Sequence, residues 1–188
     1  MEPVLLDRRR LHRLIEAACE QLDGDWVLLG GAVAALCFSP DRVTEDIDLV
    51  ALGGPDSRRY ELMDFALGQG LPIEAVNSAA DFFLRREGNI TADLELLHAG
   101  SRGRVLRPSP TLFLLLKCGR MSESDLDDCL AQLGQVRSEG GAIDAPRVLA
   151  RLVAAASMGD GTQAEARRRR LGAELEVVRR ASQAAQRG

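Results

Sequence analysis

The sequence is poor in lysine. Of its 24 basic residues only Lys117 is a lysine, and the other 23 are arginine, a skew expected of GC-rich coding. It has no run of 18 apolar residues, which excludes a membrane-crossing helix. No long apolar segment follows the basic residues near the start, so no secretory signal is expected. The four cysteines (Cys19, Cys37, Cys118, Cys129) lie far apart, with no CxxC and no Cys/His cluster. That pattern predicts buried free thiols in a reducing, cytoplasmic compartment. Internal repeats and low-complexity linkers are also missing.

What is present suits a packed domain. The chain has 188 residues and a hydrophobic fraction of 46%, enough for one domain with a helical appendage. The net charge of −4 is that of a soluble protein and argues against a general polyanion binder. It is unevenly spread. From Ala145 onward there are nine arginines against four acids, so the part before Ala145 carries −9.

Residues 7–22 space their apolar positions as an amphipathic helix. A short buried strand is expected over 26–29, a small-residue helix over 32–38 and a strand over 45–52. A helix capped by Asp56 or Ser57 is expected over 56–67. Further strands are expected over 72–76, over 81–86 and, most clearly, over 90–97. There Ile90, Ala92, Leu94 and Leu96 would share one face, and Asp93 and Glu95 the other. Residues 100–107 read as a basic loop or edge strand. After Pro108 the pattern becomes helical, over 110–119, 123–135, 145–157 and 162–185. The fold class is therefore α+β, a small mixed β-sheet flanked by helices. The Gly140–Gly141 step reads as a hinge between a sheet-bearing domain, 1–140, and a helical C-terminal extension, 141–188.

The stretch LLGGAVAALCFSPDRVTEDIDLV (Leu28–Val50) concentrates the chemistry. Asp46 and Asp48 are two residues apart on a predicted strand, so they point to one side. Paired carboxylates repel unless water or a cation intervenes, and hard oxygen ligands with substrate phosphates describe a magnesium site. The bland alternative is a solvated strand face. Gly30 and Gly31 stand between strand and helix, where first-turn N–H groups can meet an anion. A tight turn needing positive φ is the plainer explanation. A two-metal site needs a third carboxylate, and Asp93 or Glu95 could supply it from a neighbouring strand. Lys117 is either a snorkelling lysine or a catalytic residue in contact with a phosphate or the metal site. Asp125 follows Ser122 at capping-box spacing. The Arg167–Arg170 run reads as a solvated helix stretch, with RNA contact as its functional alternative.

Together these motifs resemble the polymerase-β-type nucleotidyltransferase superfamily: strand, Gly-Gly, short helix, then an Asp-x-Asp strand. With Arg42 and Thr44 included, the pattern is similar to the abortive-infection-toxin branch of minimal nucleotidyltransferases. That branch also carries an apolar helix ending in lysine, then arginine, then Asp-x-x-Asp; here these are Lys117, Arg120, Asp125 and Asp128. The resemblance spans roughly residues 25–135. It implies transfer of a nucleoside monophosphate from a nucleoside triphosphate (NTP) to an acceptor hydroxyl on RNA such as tRNA, on a protein or on a small molecule. It further implies two Mg²⁺ held by Asp46, Asp48 and either Asp93 or Glu95. Gly30, Gly31, Arg42, Thr44, Lys117 and Asp125 would lie on the nucleotide side. A toxin–antitoxin role, with an antitoxin or a second copy as partner, belongs to the same set of expectations, as does a degenerate member that binds nucleotide or a partner without turnover.

Overall fold

The computed structural model describes residues 4–53, 58–78, 80–156 and 161–185, with side chains described as far as residue 180. It divides into two compact units, Met1–Pro108 and Ser109–Gly188. The class is α+β.

In the first unit the order is α1 (Arg8–Gln21), β1 (Gly24–Leu29), α2 (Gly30–Cys37), β2 (Ile47–Ala51), α3 (Arg58–Gly68), β3 (Val76–Asn77), α4 (Asp81–Arg85), β4 (Leu94–Ala99) and β5 (Gly103–Pro108). The five strands form one mixed sheet in the order β3-β2-β1-β5-β4. Strands β1 and β2 run antiparallel, as do β4 and β5, whereas the β1–β5 and β2–β3 pairs are parallel. Helix α1 starts where the Asp7 carboxylate accepts from the Arg10 N–H at 2.7 Å. It buries Leu11, Leu14, Ile15, Ala18 and Cys19, the i, i+3, i+4, i+7, i+8 stripe that a core-facing helix needs. Strand β1 is central, so Trp26, Val27, Leu28 and Leu29 are all buried.

Several expected elements differ. The strand expected over 81–86 is helix α4, which Arg85 and Asp81 bridge across one turn at 2.6 Å. Over 72–76 the chain makes a 3₁₀ turn at Ile73–Ala75 and only then enters β3. The strand expected from Ile90 begins at Leu94, after a 3₁₀ turn at Thr91–Asp93, and Leu96 is 59% exposed rather than buried. The basic segment over 100–107 carries an interior strand, β5. It is admitted there because its arginines meet acids on adjacent strands: Arg104 pairs with Asp25 at 2.6 Å and Arg107 with Glu95 at 2.8 Å. Val105 meanwhile pairs with Trp26 and Leu106 with Val27. The caps expected at Asp56 and Ser57 lie outside the described residues.

The second unit contains α5 (Pro110–Cys118), α6 (Glu123–Glu139), α7 (Ala145–Ala156) and α8 (Thr162–Ala185). Its core includes Leu114, Met121, Leu133, Val148, Leu171 and Leu175. The compact division thus falls at Pro108–Ser109, not at Gly140–Gly141. Gly140 instead ends α6 in the left-handed conformation, with its N–H on the Val136 carbonyl, because a glycine carries no Cβ to clash there. The Arg167–Arg170 run is not uniformly solvated. Arg168 is 3% exposed and donates to the carbonyls of Cys118, at 3.0 Å, and Gly119, at 2.5 Å, at the end of α5.

These carbonyls would otherwise be unsatisfied acceptors at a helix terminus. Replacing Arg168 by methionine is therefore expected to cost about 2–3 kcal/mol, since buried acceptors lose a charged donor. Arg169→Met, at a side chain that is 78% exposed, should change stability by less than about 0.5 kcal/mol. Urea denaturation of both variants measures the difference; equal effects would refute the capping role.

Candidate functional site

The β1–β2 ladder sets Leu29 opposite Asp48. Because β1 ends at Leu29 and the chain turns directly into α2, this register carries the Asp48 carboxylate to the first residue of the helix. Gly30 has φ +69°, and a Cβ built on it would stand 2.5 Å from Asp48 Oδ2. At Gly31 a Cβ would stand 2.9 Å from Arg42 Nη2 and 3.3 Å from Thr44 Oγ1. The glycine pair is thus explained by close approach and, at Gly30, by backbone conformation as well. Helix α2 has no side-chain cap at its N-terminus.

Thr44 is 9% exposed and is held by an isolated antiparallel bridge to Leu6. The Leu6 N–H donates to the Thr44 carbonyl at 2.7 Å, and the Thr44 N–H to the Leu6 carbonyl at 3.2 Å. The Thr44 hydroxyl donates to Asp46 Oδ1 at 3.2 Å. Arg42, Thr44 and Asp46 also line a cleft of ≈ 610 Å³ with Val4, Leu5, Val43, Glu45, Pro72, Glu74 and Ala75. Arg42 and Thr44 therefore border both the glycine turn and the cleft. One arginine faces three acids in the cleft lining, so an anion would enter it favourably only with a cation.

The structure brings together Gly30, Gly31, Arg42, Thr44, Asp46 and Asp48. It does not bring Asp93 or Glu95 to them. Asp93 lies in the turn before β4, and Glu95 on β4 is paired with Arg107 at 2.8 Å. Two strands separate β4 from β2, a span of about 14 Å at the usual strand spacing. The pairings Leu96–Leu106, Leu106–Val27 and Val27–Val50 put Leu96 on the face that carries Asp48. Glu95 is consequently on the opposite face. Among the described residues no group of three or more His, Cys, Asp or Glu side chains is arranged to hold a metal ion. Sequence reasoning missed Glu74 and Asn77. The parallel β2–β3 pairing sets Asn77 opposite Asp48 and Val76 opposite Ile47, so the turn carrying Glu74 lies beside Asp46.

Lys117, Arg120, Asp125 and Asp128 form their own cluster in the second unit. Lys117 Nζ is 2.8 Å from Asp125 Oδ1 and 2.9 Å from Asp128 Oδ2. Arg120 donates twice to Asp125, at 2.8 Å each. Asp125 and Ser122 complete a capping box at the start of α6. Burial alone would raise the Asp125 pKa. Hydrogen bonds from Arg120, the charge and hydrogen bond of Lys117, and Ser122 outweigh burial and hold the carboxyl well below its usual range. Lys117 is thus a buried charge-pairing residue between two carboxylates, and Asp125 a helix cap.

Comparisons with protein-family models, with curated proteins and with solved structures found none that matches this chain.

Two outcomes follow from this geometry. Gly30→Ala should destabilise the chain by about 1–3 kcal/mol, the range for a non-glycine residue held in the left-handed region. Gly134→Ala, with open space around it in α6, should stabilise it by up to about 1 kcal/mol; chemical denaturation reads both. Lys117→Met should cost about 3–5 kcal/mol at pH 7, because two buried carboxylates lose a partner. The Asp125 pKa is lowered by folding, so its contribution is complete above the unfolded value of about 3.9 and is lost as the pH falls below it. The gap between wild type and Lys117→Met should therefore narrow progressively as the pH is lowered from about 3.9 toward the folded value; a gap that stays constant over that range would refute the pairing of Lys117 with the two carboxylates.

Proposed function

We propose that the first unit is a metal-dependent nucleotidyltransferase site that moves a nucleoside monophosphate from an NTP to an acceptor hydroxyl. The observation that carries this reading is the approach of Asp48 Oδ2 to the place where a Gly30 Cβ would stand, with Arg42, Thr44 and Asp46 beside it. The residues suit magnesium: Asp46 and Asp48 offer hard oxygen ligands, and the net negative cleft calls for a cation before an anion can enter. Asp46 and Asp48 would hold the metal, which when bound supplies stabilisation of charge on the phosphoryl oxygens. The N–H groups at the start of α2 would donate to the phosphate oxygens, and Arg42 would add positive charge beside them. Thr44, donating to Asp46 Oδ1, orients that carboxylate. The acceptor oxygen forms its bond to the α-phosphorus as the bond to pyrophosphate breaks, and the hydroxyl proton leaves to water.

A binding-only reading draws on a separate observation. Asp93 and Glu95 stay away from Asp46 and Asp48, and Lys117 is occupied by two buried carboxylates. A site that neither Asp93 nor Glu95 joins would hold Mg²⁺–nucleotide more readily than it would turn it over. Either reading accommodates a toxin–antitoxin pairing, and the catalytic one takes RNA, protein or a small molecule as the acceptor.

Incubation with each α-labelled NTP, Mg²⁺ and cell extract distinguishes them. Transfer of label and release of pyrophosphate should fall by about 100-fold or more in Asp46→Asn/Asp48→Asn. Equal transfer by wild type and variant would sink the catalytic reading. Magnesium-dependent nucleotide binding without pyrophosphate release would favour the binding protein.

A further inference from the structure

The cleft beside Asp46 has an aliphatic side that the carboxylates do not explain. Leu6 and Thr44 are paired in the bridge and buried, at 0% and 9% exposure. Alternation along an extended chain turns their neighbours the other way, and Leu5 and Val43 are 56% and 48% exposed. Both line the cleft, with Val4, Pro72 and Ala75. Two large aliphatic side chains are thus presented to solvent on backbone pinned by two hydrogen bonds, one at 2.7 Å and one at 3.2 Å. Leaving them exposed forfeits burial energy that a ligand could recover. The cleft, at ≈ 610 Å³, lies within the size range of small-molecule sites, in which apolar walls surround a few placed polar groups.

We propose that Leu5 and Val43 form the nucleobase seat of the site, so that the ligand is a nucleotide bound by its base as well as by its phosphates. This rests on the nucleotide reading above and deepens it. Arg42 and Thr44 border both the Gly31 turn and the cleft, so one molecule can span the two with its phosphates toward α2. A neutral, flat, weakly hydrated base suits the aliphatic wall. The phosphates do not, because Glu45 and Glu74, neither of which is proposed to hold the metal, would repel them there. The charge distribution therefore orients the ligand with its base at Leu5 and Val43 and its phosphates toward Arg42.

Calorimetry with Mg²⁺–ATP and Mg²⁺–tripolyphosphate tests this on the full chain. Wild type should bind ATP more tightly than tripolyphosphate. Leu5→Ser/Val43→Ser should weaken ATP binding by about tenfold through lost apolar contact and leave tripolyphosphate binding unchanged. Both positions are exposed, so melting temperatures should match wild type and report intact folding. Nuclear Overhauser effects from adenine H2 or H8 to leucine and valine methyls, absent in the double variant, give a readout independent of affinity. Equal affinity of wild type for both ligands, or equal weakening of both by the double substitution, would overturn the base seat. In either case, tripolyphosphate binding that is lost in Asp46→Asn would leave the nucleotide reading intact. Failure of both ligands to bind wild type would overturn the two together.

Discussion

The site depends on one strand register. Leu29 pairs with Asp48 across β1 and β2, and β1 gives way to α2 at the next residue. A shift of one residue would turn Asp48 and Val50 to the opposite face and bring Ile47 and Leu49 in their place. The buried apolar residues of β2, Ile47 and Leu49 at 0% exposure and Val50 at 3%, resist that shift. Hydrophobic burial on both faces of a central sheet therefore fixes the position of a polar group at the sheet's end. Gly30 and Gly31 complete the arrangement by omission, since a Cβ at either would collide with Asp48 or Arg42.

The same sheet separates charge. Acids and arginines facing each other across β1, β4 and β5 neutralise one another in pairs, and Glu95 is consumed in this way. Exposed pairs of this kind add little stability, but they allow a basic segment to serve as an interior strand. In the second unit the buried cluster of Lys117, Asp125 and Asp128, joined by Arg120, does comparable work between α5 and α6. Neutralisation is a condition for burying such groups, and it explains why the chain's single lysine stands where it does without reference to a ligand.

Much of the fold was legible beforehand because local pattern and tertiary burial agree. The amphipathic stripe of α1, the apolar run of β1 and a strand carrying Asp48 were readable by period, although β2 begins at Ile47 and leaves Asp46 ahead of it. So were the four helices after Pro108. The errors cluster where the pattern is short. Residues 72–76 and 81–86 are too brief for periodicity to separate a strand from a turn or a single helical turn. The interior place of β5 was hidden because its arginines resemble a solvated edge until their partners, 79 residues away for Arg104, are known. The expected third carboxylate failed for a related reason: a polar strand face says nothing about which strand lies next to it.

The sequence by itself determined the turn and the pair. A strand running into Gly-Gly, followed by a strand that carries Asp48, could be recognised because both are local: glycine frees the backbone, and apolar alternation marks the strand. Asp46, expected on that strand, stands just before its first residue, Ile47. Only the tertiary structure decided what meets them. Strand order put Glu74 and Asn77, rather than Asp93 or Glu95, beside Asp46 and Asp48, and an antiparallel bridge from Leu6 set an aliphatic wall on the same cleft. Strand order is settled by the packing of buried side chains from distant parts of the chain, and no single stretch of residues contains it.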